Sequence, residues 1–472
     1  MSRPDSSTSL QAEKEMLEAF TIQTQELIAS QDRFIKDNYG VKIGLESELA
    51  IHGRFDNTEL TQKRDAVIAD NKDFTDIELG ANQIEIRTPP LDILSSDGLA
   101  SLDNIYRARY NAVLESARRN KVGLLRIGAN PFLPTINTPR TDKPKYRLVP
   151  DFYNQHRDPR LDTFIGLGKS RIDIGDASVV SLFQSFQVNL EAKSLDDACE
   201  KMNRSLAIAP YLLAFSGNAR YLSHQDTKIQ DTRMMSWEIS HDTRTFYDTK
   251  LQDLRIISWE RSFDVRPEKN ENWSNELRIG LPSRYFRNMT DYFQRAGTFP
   301  FILYAPESAL AISIGMTWLD ARTKFIGDSA IVELRLPSTQ PTIEEEMLLT
   351  LLYIGRLHYA QTNQEQILPI NMVRENRLSA MLYGFKKSMW FLSENGAPIK
   401  LPTKIGLARE LELAIIGLNQ LGLSTAIDKE LLDAVLKTDS PSDRLARFLD
   451  PINEASITDM EDALSETKML IS

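Results

Sequence analysis

Residues 40–53, GVKIGLESELAIHG, alternate apolar and polar side chains, a pattern that predicts a β-strand. Side chains two positions apart in a strand project to the same side of the sheet. Glu46 and Glu48 therefore share one face, and Leu45 and Leu49 share the other. Two carboxylates on one face repel each other, and burying an unpaired carboxylate is costly. The glutamate face is therefore solvated, in contact with basic partners, or bound to a cation.

Further charged residues recur at predicted strand positions far apart in the chain. Glu78 and Glu85 belong to ELGANQIEIRTPP at 78–90, and Glu333 and Arg335 belong to AIVELRL at 330–336. Basic residues also precede that last strand: Arg233, Arg244, Arg322 and Lys324. Clustered carboxylates suit hard cations such as Mg²⁺ or Mn²⁺, and arginines grip phosphate oxygens. Together they are the components of phosphoryl transfer from ATP, although the sequence has no GxxxxGK[ST] phosphate-binding loop.

Composition limits the class of protein. The chain has 472 residues, 42% of them hydrophobic, which is enough for one large core or for two to three domains. Its formal net charge is −10 without a long basic run, which argues against nucleic-acid or anionic-membrane binding. The polar start and the lack of a long apolar run predict a soluble cytoplasmic protein. Cys199, the one cysteine, excludes an internal disulfide and is expected in the core.

Strands and helices mix without a regular βαβ rhythm, which predicts an α+β fold rather than a doubly wound sheet. We expect an N-terminal helical segment at 1–37, a catalytic domain at 38–400 and a C-terminal helical region at 401–472. Capping patterns predict helix starts at Ser101, Ser194 and Thr342. Irregular structure is expected at 135–160 and 216–250, strand structure at 180–191, and a helix at 428–438.

Six segments, in this order, resemble the glutamate–cysteine ligase and carboxylate–amine ligase superfamily. They are GLESELA (44–50), ELGANQIEIRTPP (78–90), KPKYRLVPDFY (143–153), SFQVNLEAKSLDDACEKMNRSLAIAPYLLAFSGNARY (185–221), IVELRLPSTQPT (331–342) and RENRLSAMLYGF (374–385). The Gln-Val-Asn-Leu strand and the spacing of Arg233, Trp237 and Arg244 are most similar to the plant and proteobacterial branch. The resemblance implies the fold of the glutamine synthetase catalytic domain, a curved, mainly antiparallel sheet with outer helices and a concave active site.

The resemblance also implies roles for individual residues. Magnesium or manganese ions that bridge ATP phosphates would be held by Glu46, Glu48, Glu78, Glu85, Glu333 and Gln187, the last standing where many relatives carry a histidine. Arg335 would contact ATP phosphates and stabilise the transition state, and Arg233 would bind the transferred phosphoryl group or the acyl substrate. Arg322 and Lys324 would line the nucleotide end. Trp237, Tyr146 and Arg147 would contact substrate, although Trp237 could equally anchor a loop.

The implied activity is ATP-dependent ligation of a carboxylate, with glutamate as the expected donor, to an amine through an acyl phosphate. Cysteine is the commonest acceptor in the resembled family, but residues 250–310 match the family poorly and could supply different acceptor contacts. Two alternatives stay open: a phosphotransferase like the guanidino kinases, and a relative retained only for binding or regulation. The sequence leaves the oligomeric state undetermined.

Overall fold

The computed structural model describes residues 6–37, 40–156, 163–240, 278–299, 301–423, 440–450 and 456–471. Three sequence predictions lie outside these residues: Arg244, the helix at 428–438 and much of the acceptor segment at 250–310.

The α-helices of the described residues vary from seven to 24 residues in length. The α-helices are α1 (Ser6–Ala29), α2 (Asn57–Asp70), α3 (Gly98–Arg119), α4 (Pro144–His156), α5 (Leu195–Ser216), α6 (Arg233–Ser240), α7 (Met289–Ala296), α8 (Ala309–Gly315), α9 (Ile343–Thr362), α10 (Ile370–Tyr383), α11 (Thr403–Gln420), α12 (Pro441–Leu449) and α13 (Ile457–Glu466). Short 3-10 helices span Gln31–Phe34, Ala177–Leu182, Pro306–Ser308 and Gly384–Lys386.

The strands are short except for the first. They are β1 (Lys42–His52), β2 (Thr75–Ile77), β3 (Gln83–Arg87), β4 (Leu91–Asp92), β5 (Gly123–Leu125), β6 (Phe164–Ile165), β7 (Ile172–Asp173), β8 (Phe186–Ala192), β9 (Tyr221–Leu222), β10 (Gln225–Asp226), β11 (Ile279–Gly280), β12 (Trp318–Leu319), β13 (Ala321–Ile326), β14 (Ser329–Leu334), β15 (Ser388–Leu392), β16 (Pro398–Pro402) and β17 (Leu470–Ile471).

One nine-stranded sheet forms the centre of the fold, with the order β13-β14-β8-β1-β3-β2. Strands β4 and β5 also pair with β1, and β17 pairs with β5. Every pairing in this sheet is antiparallel. The sheet curls into a half-barrel with helices packed outside it, so the predicted α+β fold is confirmed. The small β11–β12 pair outside it is parallel.

The two sides of β1 have different surroundings. Leu45, Ser47 and Leu49 are at most 1% exposed, whereas Glu46 and Glu48 are partly exposed. The buried side faces helices, since the Ser47 hydroxyl donates to Glu346 of α9. Helix α5 covers the neighbouring strands β8, β13 and β14 from the same side. The alternation read from the sequence therefore places both glutamates on the concave side, away from the core.

Two of the three predicted helix caps are confirmed. Ser194 accepts from the Asp197 amide at the start of α5, and Thr342 accepts from the Glu345 amide at the start of α9. The cap at Ser101 is wrong, because α3 begins three residues earlier after Asp97.

Three irregular or strand predictions need correction. The segment predicted to be irregular at 135–160 contains α4, which continues through a proline, and the loop-rich segment at 216–250 contains α6. The strand expected to start at 180 starts at Phe186, after the 3-10 helix Ala177–Leu182.

The C-terminal residues include one strand besides helices. β17 pairs with β5, and the Met469 carbonyl accepts from the Arg126 amide at 2.7 Å. The region predicted as helical at 401–472 thus contributes to the main sheet, and the proposed domain boundaries stay a prediction. Among the described residues, no helix combines the length and apolar character needed to cross a bilayer.

Candidate active site

Five strands direct polar side chains into the concave side of the sheet. Strand registers place Glu46 opposite both Arg87 and Gln187, and Glu48 opposite Glu85. On the far side of β8, Glu333 is opposite Arg322. Because every second residue of these strands faces the same way, residues far apart in sequence meet there.

Three carboxylates form an acidic triad at one end of this concave face. Glu48, Glu78 and Glu85 each offer an oxygen within 4.8 Å of the others. Burial raises the pKa of Glu48 to about 7, with a further contribution from Glu78. Burial, followed by the charges of Glu78, Glu46 and Glu48, raises the pKa of Glu85 well above its usual range. Burial likewise raises the pKa of Glu78.

The acidic triad fits a hard divalent cation. Its donors are all carboxylate oxygens, the ligands that Mg²⁺ and Mn²⁺ prefer. Burial raises the pKa of all three carboxyls although basic side chains lie nearby, and a bound cation would favour their ionised forms. The family resemblance implied metal binding by five glutamates and by Gln187. The structure brings three of them together.

The other two glutamates, Glu46 and Glu333, lie beside the triad. They contact the basic side chains of a cationic cluster that consists of Arg322, Lys324 and Arg335. Glu333 is 1% exposed and accepts from Arg322 Nε at 2.5 Å, Lys324 Nζ at 2.8 Å and Arg335 Nη1 at 2.7 Å. Burial alone would raise its pKa, but the three cations hold it well below the usual range. Lys324 also donates to Glu46 at 3.0 Å. Metal ligation by Glu333 therefore requires one of these cations to move or to exchange its partner.

Gln187 connects the acidic triad to the cationic cluster. Its amide nitrogen donates to Glu48 Oε1 at 2.9 Å, and its amide oxygen accepts from Arg335 Nη1 at 3.0 Å. In this orientation the amide oxygen faces the cationic cluster. Ligation of a metal by Gln187, as predicted from the sequence, would need the amide to rotate.

The side chain of Arg233 contacts the backbone of Arg335, the other predicted catalytic arginine. Arg233, 5% exposed, is the first residue of α6 rather than part of a loop. Its Nη2 donates to the carbonyls of Arg335 at 2.6 Å and Leu336 at 2.5 Å. Arg233 therefore fixes the chain at the end of β14, from which the Arg335 side chain reaches Glu333.

The remaining predicted substrate residues are spread around the triad. The Tyr146 hydroxyl donates to the Ile77 carbonyl, next to Glu78, at 3.3 Å, and its pKa is raised by burial and then by Glu78. Arg147, the next residue, has a largely exposed side chain and pairs with Asp142, outside the triad. Trp237 packs against Trp318 with ring centroids 5.2 Å apart.

Three polar residues at the site were missed. Arg87 Nε lies 3.5 Å from Glu85, Asn189 donates to Glu46 at 3.1 Å, and the charge of Lys145 lowers the pKa of Glu78. Arg87 and Asn189 lie two residues from Glu85 and Gln187, so the strand alternation could have identified both. Lys145 is on α4, where no helix was predicted. Cys199 is buried as predicted, and burial raises the pKa of its thiol to about 12.

Comparison with known proteins identifies the family. The sequence model of glutamate-cysteine ligase family 2 matches residues 42–398, and the chain belongs to that family. A sequence comparison with curated proteins gave no significant match.

Solved structures resemble the fold at low identity. A glutamate–cysteine ligase from Francisella tularensis, in complex with AMP, is 11% identical with a TM-score of 0.52, covering 91% of this chain and 88% of that one. A bifunctional glutathione synthetase from Pasteurella multocida is 12% identical with a TM-score of 0.49, covering 95% of this chain and 54% of that one. At these identities the likeness concerns the fold.

Proposed function

We propose that the protein is an ATP-dependent carboxylate–amine ligase that activates glutamate as an acyl phosphate and couples it to cysteine or another amine. The observation that carries this proposal is the contact between the acidic triad and the cationic cluster through Gln187. One half suits Mg²⁺ and the other suits phosphate oxygens, and phosphoryl transfer needs both. The branch most similar in motifs is the plant and proteobacterial one.

In the proposed reaction the acidic triad and the cationic cluster have different roles. A carboxylate oxygen of the donor attacks the γ-phosphorus of ATP, ADP leaves, and an acyl phosphate forms. The amine nitrogen then attacks the acyl carbon, phosphate leaves and the nitrogen loses a proton. Mg²⁺ held by Glu48, Glu78 and Glu85 would neutralise and align the phosphates. Arg335 stabilises the charge on the transferred group, and Arg233 holds the backbone that presents it.

The other predicted site residues have supporting roles in this proposal. Arg322 and Lys324 keep Glu333 ionised and line the nucleotide end. Tyr146 and Trp237 border the substrates, and Arg147 reaches them only if its side chain leaves Asp142.

The test is a screen of amino-acid pairs with ATP and Mg²⁺, reading phosphate release and product mass. We expect an amide product, with no turnover after chelation of divalent cations. A phosphorylated guanidine would instead favour the phosphotransferase alternative, and absence of turnover with every pair would favour the binding or regulatory relative.

Substitution of one triad residue makes the screen specific. Glu85→Gln keeps the shape but removes a ligand charge, and we expect kcat/KM to fall about 100-fold or more. Glu410→Gln is the matched control, because Glu410 is also buried but pairs with Arg356 between α9 and α11. Equal activity of wild type and Glu85→Gln at saturating Mg²⁺ would remove the triad from the mechanism.

A further inference from the structure

A buried ionic network contacts the segments that carry Arg335 and Arg233. Arg377 of α10 is 2% exposed, and its Nε and Nη2 donate to the carboxylate of Asp320 at 2.5 and 3.0 Å. Its Nη1 lies 2.7 Å from Glu238 of α6. One guanidinium therefore joins α10 to α6 and to the residue between β12 and β13.

The backbone of Asp320 connects this network to Arg335. The Asp320 carbonyl accepts from the Arg335 amide at 2.8 Å, and the Asp320 amide donates to the Gly280 carbonyl at 2.8 Å. The Arg233 side chain donates a hydrogen bond to the Arg335 carbonyl. The amide of Arg335 is thus bound by Asp320, a partner of Arg377. Its carbonyl is bound by Arg233 of α6, the helix that carries Glu238.

The close approach of these groups depends on a glycine. Gly280 has φ +81°, and a Cβ there would lie 2.4 Å from Glu238 Oε1 and 3.0 Å from Arg377 Nη2. Any other residue would be strained in this backbone conformation and would displace the ionic partners. The backbone conformation at residue 280 thus fits the positions of Glu238 and Arg377. This fit supports a requirement for the geometry of the network as well as for its charge.

Stability alone is a poor explanation for such a network. Desolvating buried ion pairs is costly, and well-packed apolar side chains often stabilise a fold as well or better. What a forked guanidinium adds is fixed geometry, because it binds two carboxylates in defined directions. Here those carboxylates belong to the two segments that hold Arg335 and Arg233.

We propose that Arg377 is a positioning residue that, through Asp320 and Glu238, sets Arg335 and α6 in the geometry needed for phosphoryl transfer; this rests on the proposed function.

The experiment compares two buried arginines. Arg377→Lys keeps the charge but cannot bind both partners as a fork. Arg356→Lys is the matched control, since Arg356 also pairs with two carboxylates, Glu365 and Glu410, neither of which belongs to the acidic triad or the cationic cluster. Gly280→Ala disturbs the same network without removing a charge. Each variant is measured for kcat, for the KM of each substrate, for unfolding free energy and for amide hydrogen exchange.

We expect similar losses of stability in the two lysine variants but different catalysis. Arg377→Lys should lower kcat about tenfold or more with smaller changes in KM, and Arg356→Lys should stay within about twofold of wild type. Amide exchange at Arg335 should accelerate in Arg377→Lys and Gly280→Ala only. Wild-type kcat or wild-type exchange in Arg377→Lys, or equal kcat losses in both lysine variants, would overturn the proposal.

Hydrogen exchange separates this proposal from the ligase assignment. If wild type turns over no substrate pair, the proposed function fails. Faster exchange confined to Arg335 and α6 in Arg377→Lys would still support positioning, and unchanged exchange would overturn it.

Discussion

Glu48 and Glu333 are the same residue type on one face of one sheet, yet their pKa values shift in opposite directions. Burial raises the pKa of Glu48 to about 7, and Glu78 adds to the shift. Glu333 is more deeply buried, but Arg322, Arg335 and Lys324 outweigh that burial and lower its pKa. Neighbouring charge, rather than depth, therefore decides the direction of the pKa shift at these two positions.

The acidic triad should make the metal-free protein less stable as pH rises. At Glu48 the folded protein binds more protons than the unfolded chain between the ordinary pKa of this group, 4.5, and its folded value of about 7. The contribution of Glu48 to the free energy of unfolding therefore falls with rising pH across this window. Glu48→Gln should flatten that slope, and Mg²⁺ should oppose it by favouring the ionised form.

Denaturant unfolding with chelator, from about pH 5 to about pH 8, measures this effect. The informative quantity is the difference between wild type and Glu48→Gln, because titrating groups outside the acidic triad largely cancel in it. A wild-type stability that rises relative to Glu48→Gln over this range would contradict the assigned direction of the shift.

Arg335→Lys should slow phosphoryl transfer about 100-fold while leaving the fold intact. The backbone contacts of Arg335 with Asp320 and Arg233 do not involve its side chain and survive the change. Lysine keeps the charge but cannot reach Glu333, Gln187 and a phosphate with one planar group. Positional isotope exchange in ATP, with donor present and amine absent, isolates this step.

Two outcomes of that measurement would count against the mechanism. Exchange that proceeds without the carboxylate donor would exclude an acyl phosphate, and undiminished exchange in the lysine variant would remove Arg335 from its role.

The alternation of side chains along the strands identified most residues of the concave face. It did not show their division into an acidic triad and a cationic cluster. It placed Glu46, Glu48, Glu85, Glu333 and Arg335 on one side correctly, because side-chain direction in a strand is local. Which carboxylate meets which cation depends on strand order and register, which bring together residues hundreds of positions apart. The sequence alone therefore could not separate the acidic triad from the cationic cluster.

At the scale of elements, helices with capping residues were predictable and α4 was not. Ser194 and Thr342 mark their helices because their side chains accept amide hydrogens locally. Helix α4 contains Pro150 and many polar residues, so the pattern favoured irregular structure. Its packing against Ala177–Leu182 is a tertiary contact that local patterns do not contain.

The packing of α9 behind β1 depends on a buried charged pair. Glu346 accepts from Ser47 at 3.2 Å, from Arg126 at 2.5 Å and from Tyr106, and Glu346 and Arg126 are at most 1% exposed. Arg126→Met leaves the carboxylate without its cation and should cost about 3–5 kcal/mol of unfolding free energy. Denaturant unfolding measures the loss.

The double variant Arg126→Met with Glu346→Leu distinguishes pairing from packing. Removing both charges should recover part of the stability lost by Arg126→Met alone. A loss below about 1 kcal/mol in the single variant would mean that water or another group compensates Glu346.

At the scale of the molecule, the C-terminal residues and the first strands form one sheet. Met469 is fully buried, its carbonyl accepts from the Arg126 amide, and Leu470 pairs with Leu125. Met469→Ala should therefore cost about 2–5 kcal/mol and lower the stability of the whole protein in one transition. Calorimetry tests this, with exposed Ile457→Ala on α13 as the control.

A separate early transition in Met469→Ala, with the main transition unchanged, would instead indicate that the region at 401–472 unfolds as an independent unit.

The central position of β1 restricts how the gene can change. Its register is fixed on both sides, with Glu46 opposite Arg87 and Gln187, and Ser47 opposite Ile86 and Phe186. Inserting or deleting one residue inside the strand would turn every following side chain to the opposite face, so that glutamates enter the core. A substitution within Lys42–His52 changes one side chain, whereas a length change displaces every side chain that follows it. Homologous genes should therefore carry their insertions and deletions outside this strand.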